Sequence, residues 1–318
     1  MEFSGIIFAL LATISWSFCI FPFTQAARRL GSNPLNHFRL LLATLTIGAT
    51  SLIVAPQAFI NMFTSDYLPA WLWLGLSGII GLTVGDYFGF GMYAILGPRL
   101  GSVLTTFAPA AALLLGSVLV GEHISLIGII GMAITIIGVI TISLGKSERE
   151  QIPDHGHGST TKGVIFGILA ATCQGAGLVL AKKGMIAENV TQHQMLPLHA
   201  TFIRLMIGTA SLFLLTFIQG KLGAMYLSIR TNPNKGIRYA IYGTFFGPVF
   251  GVTMALYSVS LIDASVAQTM FSLVPVFALF LSFFLHKERF TMKSLAGVFV
   301  AILGVIILIW REKLNELF

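Results

Sequence analysis

A carboxylate stands where few carboxylates are tolerated. Asp86 lies inside GLTVGDYFGFGMY, a stretch from Gly81 that is otherwise made of apolar, small or aromatic residues and one threonine. In the middle of a membrane helix a charged side chain costs about 2.5–3.5 kcal/mol on insertion scales, so a role that offsets this cost is expected. The chemistry open to Asp86 is narrow: it can take up a proton or hold a cationic group. Arg39 and Arg204 stand a few residues into two other apolar stretches. Each can snorkel toward headgroups or offer a two-pronged donor to a carboxylate or phosphate. If the acid and the arginines face one cavity, a zwitterion such as an amino acid would suit it. Trp16, Gln174, Tyr93, Tyr257, Thr105 and Gln268 are candidates for its aromatic and polar lining, each equally readable as packing.

Those residues need a scaffold, and composition says which kind. Of 318 residues, 56% are hydrophobic and only 10% are charged, with a mean hydropathy of +0.88. A soluble domain carries roughly 25% charged residues, so most of this chain must face lipid or other helices. The net charge of +7 comes from basic residues placed singly or in pairs at the ends of apolar segments. That is the pattern of membrane loops, and no nucleic-acid partner is expected. Cys19 and Cys173 both lie in apolar runs and read as buried small hydrophobes.

At roughly 20 residues per crossing, the sequence divides into ten apolar segments. The first five cover about 4–25, 34–54, 68–94, 102–121 and 125–144. The second five cover about 162–184, 197–218, 236–259, 264–286 and 291–310. Between them GKSEREQIPDHGHGSTT reads as a polar linker. Its two histidines lack further spaced ligands, so neither metal nor cofactor is expected.

The two sets of five are copies. GIIFALLA from Gly5 matches GVIFGILA from Gly163, and Arg39 matches Arg204. Pro109, Glu122, Gly131 and Gly138 match Pro275, Glu288, Gly297 and Gly304 at one constant offset. Gly81, Gly85 and Gly89 match Gly243, Gly247 and Gly251, two GxxxG ladders that let a neighbour approach the backbone. Where the first copy has Asp86, the second has Pro248, which should leave the carbonyl of Thr244 without its helix partner. Pro109 and Pro275 are expected to bend the fourth helix of each copy, and Glu122 and Glu288 to sit at interfacial helix ends. The chain thus divides into residues 1–145, a linker 146–161 and residues 162–318. Because five is odd, a second copy that spans fully enters from the opposite side. The expected fold is an all-α polytopic membrane protein with ten transmembrane helices as two inverted five-helix repeats.

The doubled order of an early arginine in the second helix, then a "P…GE…G…G" run, resembles paired EamA domains of the drug/metabolite transporter superfamily. Lys287 replaces the glycine before the second glutamate. The resemblance implies ten spans in the cell (inner) membrane and movement of small metabolites, often export of amino acids or related compounds. It does not select a substrate, because the family is chemically diverse. The small four-helix multidrug exporters of that superfamily carry an essential glutamate in helix one. ATISWSFCIF here has no acid, so proton coupling is not inherited from them. The expected function is a secondary transporter working by alternating access, with a flippase for a lipid-linked metabolite as the alternative. Its partners would be a small-molecule substrate, the lipid bilayer and protons as coupling ion. The chain has no HExxH, no GxSxG and no pair of intramembrane aspartates, so no enzyme is expected.

Basic residues from Arg28 and Arg29 through Lys146 and Arg230 to Lys293 crowd the odd-numbered connections. Lys182, Lys183, Arg311 and Lys313 stand on the other side. By the positive-inside rule both termini face out. A reporter enzyme active only outside the cytoplasm, fused after Phe318, should therefore be active; silence there with activity after residue 150 would reverse the orientation.

Overall fold

A computed structural model describes residues 2–143, 160–186, 195–231, 233–286 and 292–315. Residues 287 and 288, and nearly all of the linker with its two histidines, lie outside the described residues. Every regular element described is helical, as expected where each backbone N–H and C=O must be satisfied without water. In order these are α1 (Glu2–Leu30), α2 (Ser32–Val54), α3 (Pro56–Asn61), α4 (Leu68–Gly78) and α5 (Gly85–Thr105). Next come α6 (Ala108–Leu119), α7 (Leu126–Ser143), α8 (Thr160–Met185), α9 (Pro197–Ile218) and α10 (Leu222–Thr231). The remainder are α11 (Pro233–Thr244), α12 (Val252–Val259), α13 (Ala264–Phe271), α14 (Val274–His286), α15 (Met292–Ile309) and α16 (Arg311–Asn315). Two π-helical segments, Ile79–Val84 and Phe245–Gly251, join α4 to α5 and α11 to α12.

Eight helical stretches are long and apolar enough to cross a membrane: Phe3–Ala27, Ser32–Val54, Ser65–Met92, Thr161–Met185, Pro197–Ile218, Gly236–Val259, Ala264–Leu281 and Met292–Ile309. Ala108–Leu119 and Leu126–Thr141 are shorter apolar helices. Pro109 and Pro275 do not bend a helix midway. Each sits in the first turn of a new helix, α6 or α14, after a turn at residues 106–107 or 272–273. A proline lacks only an N–H that is unpaired at a helix start anyway, so it fits there better than inside.

The chain packs as two compact units, and each draws on both sequence copies. The first holds Met1–Thr83 with Gly177–Leu261; the second holds Val84–Ala176 with Ile262–Phe318.

In the first unit, α2 and α9 pass head to tail. His37, early in α2, shares a 2.8 Å hydrogen bond with Thr216, late in α9. Gly48, late in α2, faces the ring of Phe202, early in α9. Midway the equivalent residues Thr44 and Thr209 share a 2.8 Å hydrogen bond. Leu40, Ala43, Ile47, Leu198, Leu205 and Leu212 close the apolar core around them. α1 runs in the opposite sense along α11 and α12: Phe23 covers Gly243 and Gly247, Trp16 covers Gly251, and Phe8 lies 5.3 Å from Tyr257.

In the second unit, α7 and α15 also pass head to tail on glycine. A Cβ at Gly131 would stand 2.8 Å from Leu308 N and 2.9 Å from Gly304 O. A Cβ at Gly138 would collide with Ala301 and with Gly297 O. Gly138→Leu should therefore destabilise the protein by about 1–3 kcal/mol through overpacking. Gly223→Leu, which meets nothing within 4 Å, should be neutral; thermal unfolding of both variants in detergent compares them.

Candidate functional site

The ten candidate residues divide evenly between the units. Trp16, Arg39, Arg204, Pro248 and Tyr257 belong to the first, and Asp86, Tyr93, Thr105, Gln174 and Gln268 to the second.

Arg204 is 7% exposed, deep for a guanidinium, and glycine makes the room. A Cβ at Gly81 would stand 2.7 Å from Arg204 Nη2, and one at Gly177 3.4 Å from it. One helical turn earlier, a Cβ at Gly78 would collide with the Arg204 carbonyl. Three helices therefore meet around this side chain backbone to backbone. Hydroxyls line the meeting point: Ser77 donates to the Gly177 carbonyl, and Thr83 donates to the Gly208 carbonyl at 3.0 Å. Thr83 also lies 2.6 Å from Ser211 Oγ. Glycine backbone thus stands beside the guanidinium, and a guanidinium suits an anionic group.

Arg39, its equivalent, is half-buried and differently held. Its Nε donates to Asn36 Oδ1 at 2.8 Å, and its guanidinium lies 5.7 Å from the centre of the Phe23 ring. Phe23 fills Gly243 and Gly247, the ladder equivalent to the one that receives Arg204. By the alignment of the first helices, α8 carries Ala181 where α1 carries Phe23. In one place the arginine enters the glycine groove; in the other an aromatic ring fills it and the arginine rests above.

Pro248 is buried within the π-helical Phe245–Gly251. The Phe246 carbonyl accepts from Ser15 Oγ of α1 at 2.5 Å, and the Val249 carbonyl accepts from Thr253 Oγ1 of α12 at 2.5 Å. Beside the Ser15 bond lies a cleft of about 400 Å³, lined by Leu11, Ile14, Phe18, Phe245, Phe246, Val249 and Phe250 as well as Ser15. No charged group lines it, so it suits an apolar occupant rather than a polar one.

In the second unit Asp86 is half-buried in the first turn of α5, directly after the other π-helical segment. Phe88 packs 5.2 Å from Phe166, and Gly89 lies beside Ala170. π-helical insertions inside α-helices recur at functional positions, and both third helices carry one. Gln174 is half-buried in α8, next to Gly175, where a Cβ would stand 2.8 Å from Ala112 N. Thr105 ends α5, and buried Gln268 lies one turn before the equivalent break, its carbonyl accepting the Ser272 N–H and Oγ–H, each at 3.1 Å. The side chain of Tyr93 lies outside the described residues.

One charged residue departs from the sequence reading, and a second gains a place the sequence left open. Glu122 is no interfacial side chain: it is 5% exposed, and its Oε1 accepts the Ala264 N–H at 2.8 Å, closing the start of α13. Arg311 is buried and pairs with Asp263 at 3.6 Å. Sequence reasoning also passed over Phe23 and Gly177. Phe23 carries no polar signal, and the alignment with Ala181 was the one trace of its role.

Helices of this number, length and apolarity make a multi-pass integral membrane protein. Over residues 3–144 and again over 161–310 the chain matches the EamA-like transporter family, and it belongs to that family, a membrane transporter with tandem EamA domains. It is 24% identical over 310 residues to an "Uncharacterized transporter" of Archaeoglobus fulgidus, covering 96% of this chain and 97% of that one. It is 27% identical over 130 residues to the "Uncharacterized transporter YoaV" of Bacillus subtilis, covering 41% and 42%. A crystal structure of a protein 12% identical shares the fold, with a TM-score of 0.66 over 96% of each chain.

Removing the Glu122 carboxylate leaves the Ala264 N–H buried without its acceptor, at a cost of about 1–3 kcal/mol. Glu122→Ala should lower the unfolding temperature in detergent, while Glu122→Gln, which keeps an acceptor oxygen, should recover most of it.

Proposed function

We propose that the protein is a secondary transporter that moves small metabolites, amino acids or related compounds among them, by alternating access. Its ten spans form two inverted five-helix repeats. The observation that carries this reading is the head-to-tail pairing of equivalent helices. Gly131 meets Gly304 while Gly138 meets Gly297, and Thr44 meets its own equivalent Thr209. A copy threaded upside down brings equivalent helices together in opposite senses; a copy threaded the same way up would not. The broken fourth helices and the π-helical third helices agree with it, since irregular backbone at membrane depth belongs where protein or a water-filled cavity satisfies it.

In this reading Arg204 holds an anionic group of the substrate and Asp86 takes up a proton or a cationic group. Export follows from the resemblance among tandem EamA proteins. The chain has no nucleotide-binding loop, so the work comes from gradients, and a 100 mV potential supplies about 2.3 kcal/mol per charge moved. One observation favours the alternative, a flippase for a lipid-linked metabolite: the apolar cleft between α1 and Phe245–Phe250 could take an acyl chain.

Purified protein in liposomes, offered labelled amino acids, amines, sugars and lipid-linked sugars with and without a pH gradient, tests both readings. Soluble-substrate uptake that exchanges with unlabelled substrate is expected. Movement of the lipid-linked compounds alone would select the flippase, and movement of none would end the proposal. Arg204→Gln should lower transport at least about tenfold, the loss expected for one charge-assisted pair. Asp86→Asn should abolish transport or its response to the pH gradient; an unchanged response would remove Asp86 from coupling.

A further inference from the structure

One end of the first unit carries a concentration of positive charge that the transport reading does not use. Arg28–Phe38 and Gln219–Tyr239 contain six cations, Arg28, Arg29, Lys221, Arg230, Lys235 and Arg238, and no aspartate or glutamate.

The fold brings these two stretches together. Arg29 lies 4.7 Å from the centre of the Tyr239 ring, and Ala26, Leu30 and Leu35 pack with Ala240 and Ile237. Thr216, whose hydroxyl reaches His37 at the start of α2, gives its carbonyl to the Lys221 N–H at 3.1 Å. The start of α10 is thereby tied to the same end of the bundle. α10 runs on for ten residues, about 15 Å at 1.5 Å per residue. It carries exposed Lys221 at one end and exposed Arg230 at the other, with Leu227 58% exposed between them. A short helix between two membrane crossings, with an exposed cation near each end and an exposed leucine between them, fits the plane of the headgroups.

The fold does not require this charge. The equivalent connection of the first copy, Ala55–Tyr67 with α3, occupies the same place in its repeat. It holds no cation and one acid, Asp66. Lys221, Arg230 and Arg238 are exposed, and cations beside a membrane crossing attract anionic lipid. We infer that the end of the first unit formed by the α1–α2 connection, α10 and the start of α11 binds anionic phospholipid headgroups. This surface is independent of what the protein transports.

The test uses the full chain in a neutral detergent, with its unfolding temperature followed on addition of phosphatidylglycerol or phosphatidylcholine. Phosphatidylglycerol should raise the wild-type value by about 5 °C more than phosphatidylcholine. High salt should shrink the difference. Lys221→Gln, Arg230→Gln and Arg238→Gln together should abolish it; if that variant does not fold, Lys221→Gln with Arg230→Gln should at least halve it. Lys182→Gln with Lys183→Gln, cations at the end of α8, should leave it unchanged. Equal shifts from both lipids, a full shift in the triple or double variant, or loss of the shift in the α8 variant would overturn the inference. A matching shift from inorganic phosphate would also overturn it, in favour of a soluble anion.

Discussion

Between helices in a bilayer there is little hydrophobic drive, because lipid tails are as apolar as leucine. Association then depends on how closely backbones can approach, and in this protein glycine decides that. Gly131, Gly138, Gly297 and Gly304 let α7 and α15 meet peptide against peptide. Gly78, Gly81 and Gly177 do the same around α9, and Gly243, Gly247 and Gly251 open a groove that side chains of α1 fill. The remaining features of the structure follow from what each groove admits.

The two arginines show the consequence. Their sequence settings are alike, yet Arg204 is sunk between glycines while Arg39 rests on a ring. The difference is one of volume: Phe23 occupies the groove that the equivalent Ala181 is too small to fill. A guanidinium enters a helix bundle only where there is room for it, and the missing side chains at Gly81 and Gly177 leave that room around Arg204. A doubled sequence can therefore hold an undoubled chemistry.

Irregular backbone marks the same helices in both copies. The third helices carry π-helical segments, and the fourth break at residues 106–107 and 272–273. Such interruptions free carbonyls that need partners, and the Ser15 hydroxyl on Phe246 O is one of them. Glu122 meets a related need at the start of α13, where a backbone donor has no helix partner of its own.

Composition and spacing by themselves determined the helical membrane class, the doubling, the glycine ladders and the family likeness, because each depends on local residue type or on a repeat that survives in order. Asp86, Arg39, Arg204 and Pro248 were visible for the same reason: charge or a missing N–H is conspicuous in an apolar run. Tertiary packing alone decided the rest. It buried Arg204 and not Arg39, took Glu122 and Arg311 inside, and gave Phe23 a place no polarity signal announces. Those outcomes depend on which helix lies against which groove, and a neighbour distant in the chain leaves no mark on local sequence.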